Sequence, residues 1–230
     1  MDALSTLKRH RALARLGTEG LDELARAATV RRLRRGETLW RAGEAAVPFT
    51  VVGHGLVKVV LPGSGVRDLV IGLSGPGESV GDAAMLVGGP LSSDASALTD
   101  PVVIARVPRE IFFGVLERNG AAALDLARDC ANQARLAQRR LVLFASSAEE
   151  RLATTLMELS ERFGDEMEDG TTLIPLRLTR AELAALVGTT VEATIRTLSR
   201  WSREGLLTTV DGGIAVHDPA ALKRRGGGNG

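Results

Sequence analysis

Glycine and proline are distributed along this chain so unevenly that no single type of structure can accommodate all of it. Between Gly36 and Gly89 a glycine recurs every few residues, separating short apolar runs at 49–52, 56–61 and 69–73. Runs this short, rich in β-branched residues and bounded by Gly-Ser-Gly or Gly-Pro-Gly, cannot sustain helices and predict short strands joined by tight turns. Val102–Val107 reads as the last of them, giving a compact β sandwich or roll. After Pro108 the pattern changes. From Ala121 to about Phe144 neither residue occurs, and Leu124, Ala127, Ala131, Ala134, Gln138 and Leu141 recur at three- and four-residue steps, as an amphipathic helix requires. About 24 residues at about 1.5 Å each predict a helix of about 36 Å. Its seam of small alanines suits a closely packed partner helix in a parallel dimer, the favoured reading, or a seat on the chain's own β domain.

A third pattern begins at Ser146-Ser147. Ser147 with Glu150, or Ser146 with Glu149, makes a capping box for a helix through Phe163. Residues 164–170 form an acidic loop and 173–178, with Pro175, a short extended segment. Thr179 with Glu182 caps a second helix ending at Gly188; Thr189 with Glu192 signals a third, running to Glu204 and stopped by Gly205. Residues 206–210, the turn Asp211-Gly212-Gly213 and residues 214–216 predict a hairpin, and Asp218-Pro219 caps a last short helix. The tail, 226–230, is expected to be disordered. Two short helices joined by a glycine turn and followed by a hairpin make a winged helix-turn-helix. The expected division is a β-roll sensor at 1–119, a dimerisation helix at 120–145 and a DNA-binding winged helix at 146–225, an α+β architecture.

In that arrangement Ala184 is the small residue where the helices cross, and Thr194, Thr197, Leu198 and Trp201 face inward. The opposite face presents Val191, Glu192, Ile195, Arg196 and Ser199 to the major groove. Arg196 can read guanine O6 and N7, Glu192 can accept from a cytosine amine, and Ile195 can touch a thymine methyl. Thr189 and Thr190, with the free N–H groups of the first turn, can hold a phosphate, and Arg180 joins the set of candidate DNA contacts. The blander reading makes Glu192 a capping residue and Arg196 an ordinary solvated side chain.

Composition limits the alternatives. The 230 residues are 44% hydrophobic and 25% charged, an ordinary globular balance. A net charge of +1 conceals patterning: 9 basic against 4 acidic side chains in 1–35, 6 against 9 in 36–123, 4 against 2 in 124–145 and 10 against 13 in 146–230. Any DNA binding therefore rests on a few placed residues. Arg31-Arg32 and Arg34-Arg35 fit either a solvated surface or a subunit contact. The lone cysteine, Cys130, forbids an intrachain disulfide or a four-cysteine cluster within one chain, and mid-helix it reads as a small apolar residue. No apolar run suits a bilayer, so the expected compartment is the cytoplasm. There is no Gly-x-Ser-x-Gly elbow, P-loop or His-Glu-x-x-His, and an enzyme is not expected.

Five segments carry a resemblance to the cyclic-AMP receptor protein/FNR superfamily of bacterial transcription regulators. They are Gly36-Glu37-Thr38-Leu39-Trp40-Arg41-Ala42-Gly43-Glu44, Gly55-Leu56-Val57-Lys58-Val59, Gly75-Pro76-Gly77-Glu78, Gly88-Gly89-Pro90 and Leu178-Thr179-Arg180-Ala181-Glu182-Leu183-Ala184. The similarity spans roughly residues 5–225. It implies a cyclic-nucleotide-binding-like β-roll, a homodimer formed through the helix at 121–144, a palindromic double-stranded DNA operator, and RNA polymerase as a partner. Nucleotide-binding members place a Gly-Glu and an Arg-Ser pair around the bound ribose phosphate. Here Gly81 is kept, but the acid is Asp82 and Leu91 stands at the arginine position, followed by Ser92 and Ser93. The dimer-helix hydroxyls are replaced by Leu136 and Ala137. A phosphodiester needs that guanidinium, so cyclic AMP bound in the usual way is disfavoured. The N-terminal cysteines of an FNR iron–sulfur cluster are missing. Haem stays open, although His10, His54 and His217 are far apart and His54 reads as an exposed turn residue. Val191-Glu192 and Arg196 resemble the FNR branch, with Ile195 replacing its usual serine, which implies a TTG/CAA-like half-site. The resemblance leaves the effector unidentified and allows a regulator with none, or a ligand-binding module without DNA binding.

Overall fold

The computed structural model describes residues 1–45, 48–63, 68–143 and 146–227, with side chains to residue 138 and again from 146. The chain divides into two compact units, Met1–Ala137 and Gln138–Gly230, the division falling inside the long helix.

The first unit opens with α1 (Ala3–Leu7), a 3-10 turn (Leu13–Leu16) and α2 (Gly17–Ala27). The strands follow as β1 (Thr29–Leu33), β2 (Thr38–Trp40), β3 (Phe49–His54), β4 (Val57–Leu61), β5 (Leu69–Ser74) and β6 (Ser79–Val80). Helix α3 (Asp82–Val87) precedes β7 (Asp94–Ala97) and β8 (Val102–Val107); α4 (Arg109–Glu117) and α5 (Gly120–Leu143) complete the unit's elements. The strands form two four-stranded antiparallel sheets, ordered β1-β8-β3-β6 and β2-β7-β4-β5.

The period-2 alternation of β3 and β8 explains their continuous burial. Val52, Val102 and Ile104 point between the sheets with Trp40, Val57 and Leu91. Phe49, Val51, Ala105 and Val107 point the other way, against Leu7, Leu24, Phe112 and the start of α5. Phe49 and Phe112 stack with ring centroids 4.0 Å apart, a contact of about 1 kcal/mol beyond area burial. The helices of the first 28 residues had no counterpart in the sequence reading.

Helix α5 uses Ala122 and Leu126 to join this core. The expected seam lies elsewhere: Leu124, Ala127, Ala131, Ala134 and Gln138 are exposed, Leu124 by 52%. That seam is therefore not the seat of the helix on its own domain. The Leu141 side chain and the expected end at Phe144 lie outside the described residues.

The second unit contains α6 (Ala148–Phe163), β9 (Asp165–Glu166), β10 (Thr172–Ile174), α7 (Arg180–Val187), α8 (Val191–Arg203), β11 (Leu207–Val210), β12 (Gly213–Val216) and α9 (Pro219–Arg225). Ser147 and Glu150 form the capping box of α6, rather than Ser146 and Glu149. The segment expected as an acidic loop contributes β9, which pairs with β10 in a sheet ordered β11-β12-β10-β9. The wing turn is the two-residue Asp211-Gly212, because Gly213 already pairs with Val210. Gly226, expected in the tail, caps α9 and accepts a hydrogen bond from Thr154; residues 228–230 lie outside the described residues.

Candidate nucleic-acid interface

Helices α7 and α8 acquire their ends from local chemistry. Thr179 and Glu182 form a reciprocal capping box at the start of α7, satisfying two orphan N–H groups. Gly188 ends the helix at φ +68°, a left-handed conformation that glycine adopts without a Cβ penalty, and the Thr189 N–H returns to the Ala184 carbonyl. The cap of α8 is Thr190, whose hydroxyl accepts from the Ala193 N–H at 3.0 Å. The expected Thr189–Glu192 box is thus displaced by one residue: the helix starts later, Ala193 occupies the third position, and no reciprocal carboxylate box forms there.

Burial sorts α8 into two faces. Thr194, Leu198 and Trp201 are buried, with Thr197 partly so, and Ala184 lies buried where α7 crosses. Val191, Glu192, Ile195, Arg196 and Ser199 are all exposed, Ile195 by 45%. An exposed isoleucine and valine beside an arginine and a glutamate provide both apolar and hydrogen-bonding groups on one face. Thr189 and Thr190 are half-buried at its N-terminal end. Arg180 reaches the wing: its guanidinium donates to Thr209 Oγ1 of β11 at 2.7 Å, linking α7 to the hairpin. The exposed Arg177–Asp211 pair, 3.2 Å, bridges the same two regions but is too solvated to add much.

The first turn of α6 contacts the α7–α8 turn at one end of α8 and the last turns of α8 at the other. Arg151 donates to the Val187 carbonyl (2.9 Å), the Gly188 carbonyl (3.2 Å) and the Ser146 carbonyl (2.5 Å). A cation at the carbonyl end of α7 suits both the orphan acceptors and the helix dipole. Glu149 accepts from Trp201 Nε1 at 3.1 Å and pairs with Arg200 and Arg225. Burial pushes the Glu149 carboxyl up, but the hydrogen bonds and charges of Arg200, Trp201 and Arg225 outweigh it and hold the group below the usual glutamate range. Sequence reading missed both residues. The signal was the second serine–glutamate spacing, Ser146 with Glu149, whose acid is free of the cap.

The residues expected to line an effector pocket lie in different surroundings. Gly81, at φ +82°, leads into α3, and Asp82 is buried with its carboxylate accepting from the Ser79 hydroxyl. His10 Nε2 lies 3.2 Å from the same hydroxyl. Burial raises Asp82 to about 6, against the pull of the Ser79 and Gln133 side chains and with the help of Asp129. Leu91 is in the intersheet core. The Ser93 carbonyl accepts from Trp40 Nε1, and Ser92 is exposed. Leu136 and Ala137 are exposed on α5. Asp82 is therefore turned into a polar chain with Ser79 and His10, while Leu91 is committed to the core. Burial also raises the Cys130 thiol, reinforced by Asp82 and Asp129, so it is not poised as a thiolate. Among the described residues no group of His, Cys, Asp and Glu is arranged to hold a metal, and no helix is long and apolar enough to cross a membrane.

Comparison with known proteins agrees with this architecture. Residues 30–119 match the family model of a cyclic nucleotide-binding domain, and residues 150–225 that of a Crp-like helix-turn-helix domain. The chain is 26% identical over 220 residues to the CRP-like cAMP-activated global transcriptional regulator of Mycobacterium tuberculosis, covering 93% of this chain and 97% of that protein. It is 29% identical over 191 residues to the cyclic AMP receptor protein of Thermus thermophilus, covering 82% and 84%. Its fold is that of FixK2 from Bradyrhizobium japonicum, with a TM-score of 0.74 at 24% identity over 86% of this chain and 96% of that one. With a β-roll of the cyclic nucleotide-binding type, a long helix and a DNA-binding helix-turn-helix in this order, the chain belongs to the cyclic-AMP receptor protein/FNR superfamily of DNA-binding transcription regulators.

Proposed function

We propose that the protein is a homodimeric regulator that reads a two-fold symmetric operator through α8. The observation that carries this reading is the single exposed face of α8, on which Val191, Glu192, Ile195, Arg196 and Ser199 gather while the opposite face is buried. Arg196 forks onto a guanine, Glu192 accepts from a cytosine amine and Ile195 packs on a thymine methyl. Thr189 and Thr190 take phosphate at the helix N-terminus, and Arg180 supports the wing. The half-site is TTG/CAA-like, and two half-sites lie about 34–36 Å apart, one helical turn.

In this reading residues 1–119 sense, 120–145 dimerise and 146–225 bind DNA, with movement along α5 setting the separation of the two recognition helices. RNA polymerase is the partner at the promoter, and the cytoplasm is the site of action. The curated relatives named for cyclic AMP do not extend that ligand to this chain. With Leu91 in the core and Asp82 bonded to Ser79, a cyclic nucleotide finds neither the guanidinium its phosphate needs nor the free acid its ribose needs. The same two residues favour a second reading, a regulator whose dimer is active without an effector.

The decisive experiment is selection of bound duplexes from a randomised library, followed by titration of the selected duplex against a scrambled one at several salt concentrations. A palindromic TTG/CAA-type consensus bound by a dimer is expected. Equal affinity for both duplexes, with and without added cyclic nucleotide, would overturn the reading. An absorption spectrum and native mass of the purified protein separate haem, a co-purified ligand and an empty dimer.

A further inference from the structure

The recognition helix of that reading is amphipathic, and its inner face packs through Thr194, Leu198 and Trp201. Base readout demands more: productive contacts need a pose held within about 0.5 Å and 10–20°. Near the middle of the second unit, one carboxylate supplies that constraint. Glu149 Oε1 accepts from Trp201 Nε1 at 3.1 Å and from Arg225 Nη1 at 3.2 Å, and Oε2 pairs with Arg200 Nη2 at 2.5 Å. Arg225 also pairs with Glu204 at 2.7 Å, and its guanidinium lies 5.8 Å from the centroid of the Trp201 ring. Trp201 is fully buried, and its indole N–H is a donor with no capacity to accept. The network thus joins α6, the C-terminal half of α8 and α9, while Arg151 holds the turn at the other end of α8.

We propose that Glu149 is a positioning residue for sequence recognition: it locks the rotation of α8 through Trp201 and Arg200, and so sets which bases Arg196 and Glu192 meet. Isolated surface ion pairs contribute little. This one differs because a single acid takes three donors from two elements, one of them the buried indole. Arg200 follows Ser199 on the exposed side of α8, so the pair also keeps that cation from drifting to a phosphate. The proposal rests on the reading of α8 as the recognition helix.

The test uses the full-length protein, a duplex selected by the wild type from a randomised palindromic library, and a scrambled duplex of equal length. Glu149→Gln keeps an acceptor for Trp201 but removes the charge that holds Arg200 and Arg225. It is expected to lower affinity for the selected duplex about tenfold without weakening binding to the scrambled one. Glu149→Asp, which restores the charge, should recover part of the loss, a rescue that a purely structural role would not produce. Arg200→Gln releases the same clamp from its exposed side and gives the same loss of preference should Glu149→Gln fail to fold. Arg196→Ala is measured alongside. If it relaxes the base preference while Glu149→Gln and Arg200→Gln keep the wild-type ratio, the positioning role is wrong and α8 remains the reader. If Arg196→Ala leaves the preference intact, the assignment of α8 fails first and the positioning role with it.

Discussion

The Ser79 hydroxyl donates to one oxygen of the Asp82 carboxylate, and the other oxygen is buried without a hydrogen-bond partner. On the far side of Ser79, His10 is in the same condition, with Nε2 at the hydroxyl and Nδ1 buried and unpaired. The acid that resembles the ribose contact of nucleotide-binding relatives is thus part of an internal polar chain under α5, faced there by Asp129, Cys130 and Gln133.

Stability should respond to pH through this chain. The folded protein raises Asp82 from 3.8 to about 6, so between those values the fold binds a proton that the unfolded chain has released. Stability contributed by the neutral acid is therefore present at low pH and lost as pH rises through that window, by about 3 kcal/mol in full. Asp82→Asn should stabilise the protein at pH 8 and do nothing of the kind at pH 4, measured as the shift in urea midpoint. His10 acts in the opposite sense: burial lowers it from 6.5 against the pull of Asp129, so stability is lost on acidification below that value. Asp82→Asn should accordingly unmask a falling acid limb that the wild type conceals. An equal midpoint shift at both pH values would contradict the assignment.

Arg196→Ala should cost about 1–3 kcal/mol of operator binding and relax the base opposite it, leaving scrambled duplex binding nearly unchanged. The winged unit is poor in net positive charge, so few phosphates are neutralised. The slope of log affinity against log salt should be shallow, about 0.9 per phosphate contact. A loss of equal size on both duplexes would make Arg196 a backbone contact.

Wing geometry depends on one close approach. A Cβ on Gly213 would lie 2.0 Å from the Ile174 carbonyl oxygen and 3.3 Å from the Leu176 nitrogen, both backbone atoms with nowhere to go. Gly213→Ala should therefore part β12 from β10 and destabilise the second unit by more than about 4 kcal/mol. Gly205→Ala, where a Cβ would meet nothing within 4 Å, adds only the left-handed backbone penalty at φ +72°, about 1–2 kcal/mol. Thermal unfolding of the two variants should separate them clearly; similar melting temperatures would mean that the wing tolerates the displacement.

Legibility tracked how local the cause was. The capping box at Thr179 and Glu182, the glycine at 188 and the Asp218-Pro219 start are each decided within a few residues, and all stand where the sequence put them. The start of α8 slipped by one because two adjacent threonines can both cap, and the choice was made by Thr189 returning its N–H to Ala184. Strand β9 was invisible because Asp165 and Glu166 carry no β signal; they pair only because β10 offers an edge. The exposure of Val191, Glu192, Ile195, Arg196 and Ser199 on one face of α8 followed from helical spacing alone. Glu149 and Arg151 could not be found that way, since their partners lie 36 to 76 residues away. The chain from Asp82 through Ser79 to His10 is tertiary and leaves no local signal.

Leu124, Ala127, Ala131 and Ala134 follow a three–four spacing along α5 and are exposed, whereas Ala122 and Leu126 on another face are buried in the core of the first unit. A face this apolar, at this spacing and not used by its own unit, is suited to a second copy of the same helix, with the small alanines allowing close approach. Across a two-fold axis each substitution acts twice. Leu124→Glu removes two half-exposed leucines from the interface, about 3 kcal/mol together, or over a hundredfold in the dimer dissociation constant. Ala131→Asp should be worse, setting two carboxylates against each other at the closest approach. Sedimentation equilibrium should show a dimer for the wild type and monomers for Ala131→Asp at micromolar concentration, with a duplex carrying both half-sites then bound no better than one carrying a single half-site. An Ala131→Asp protein that remained dimeric would place the interface on another face of the chain.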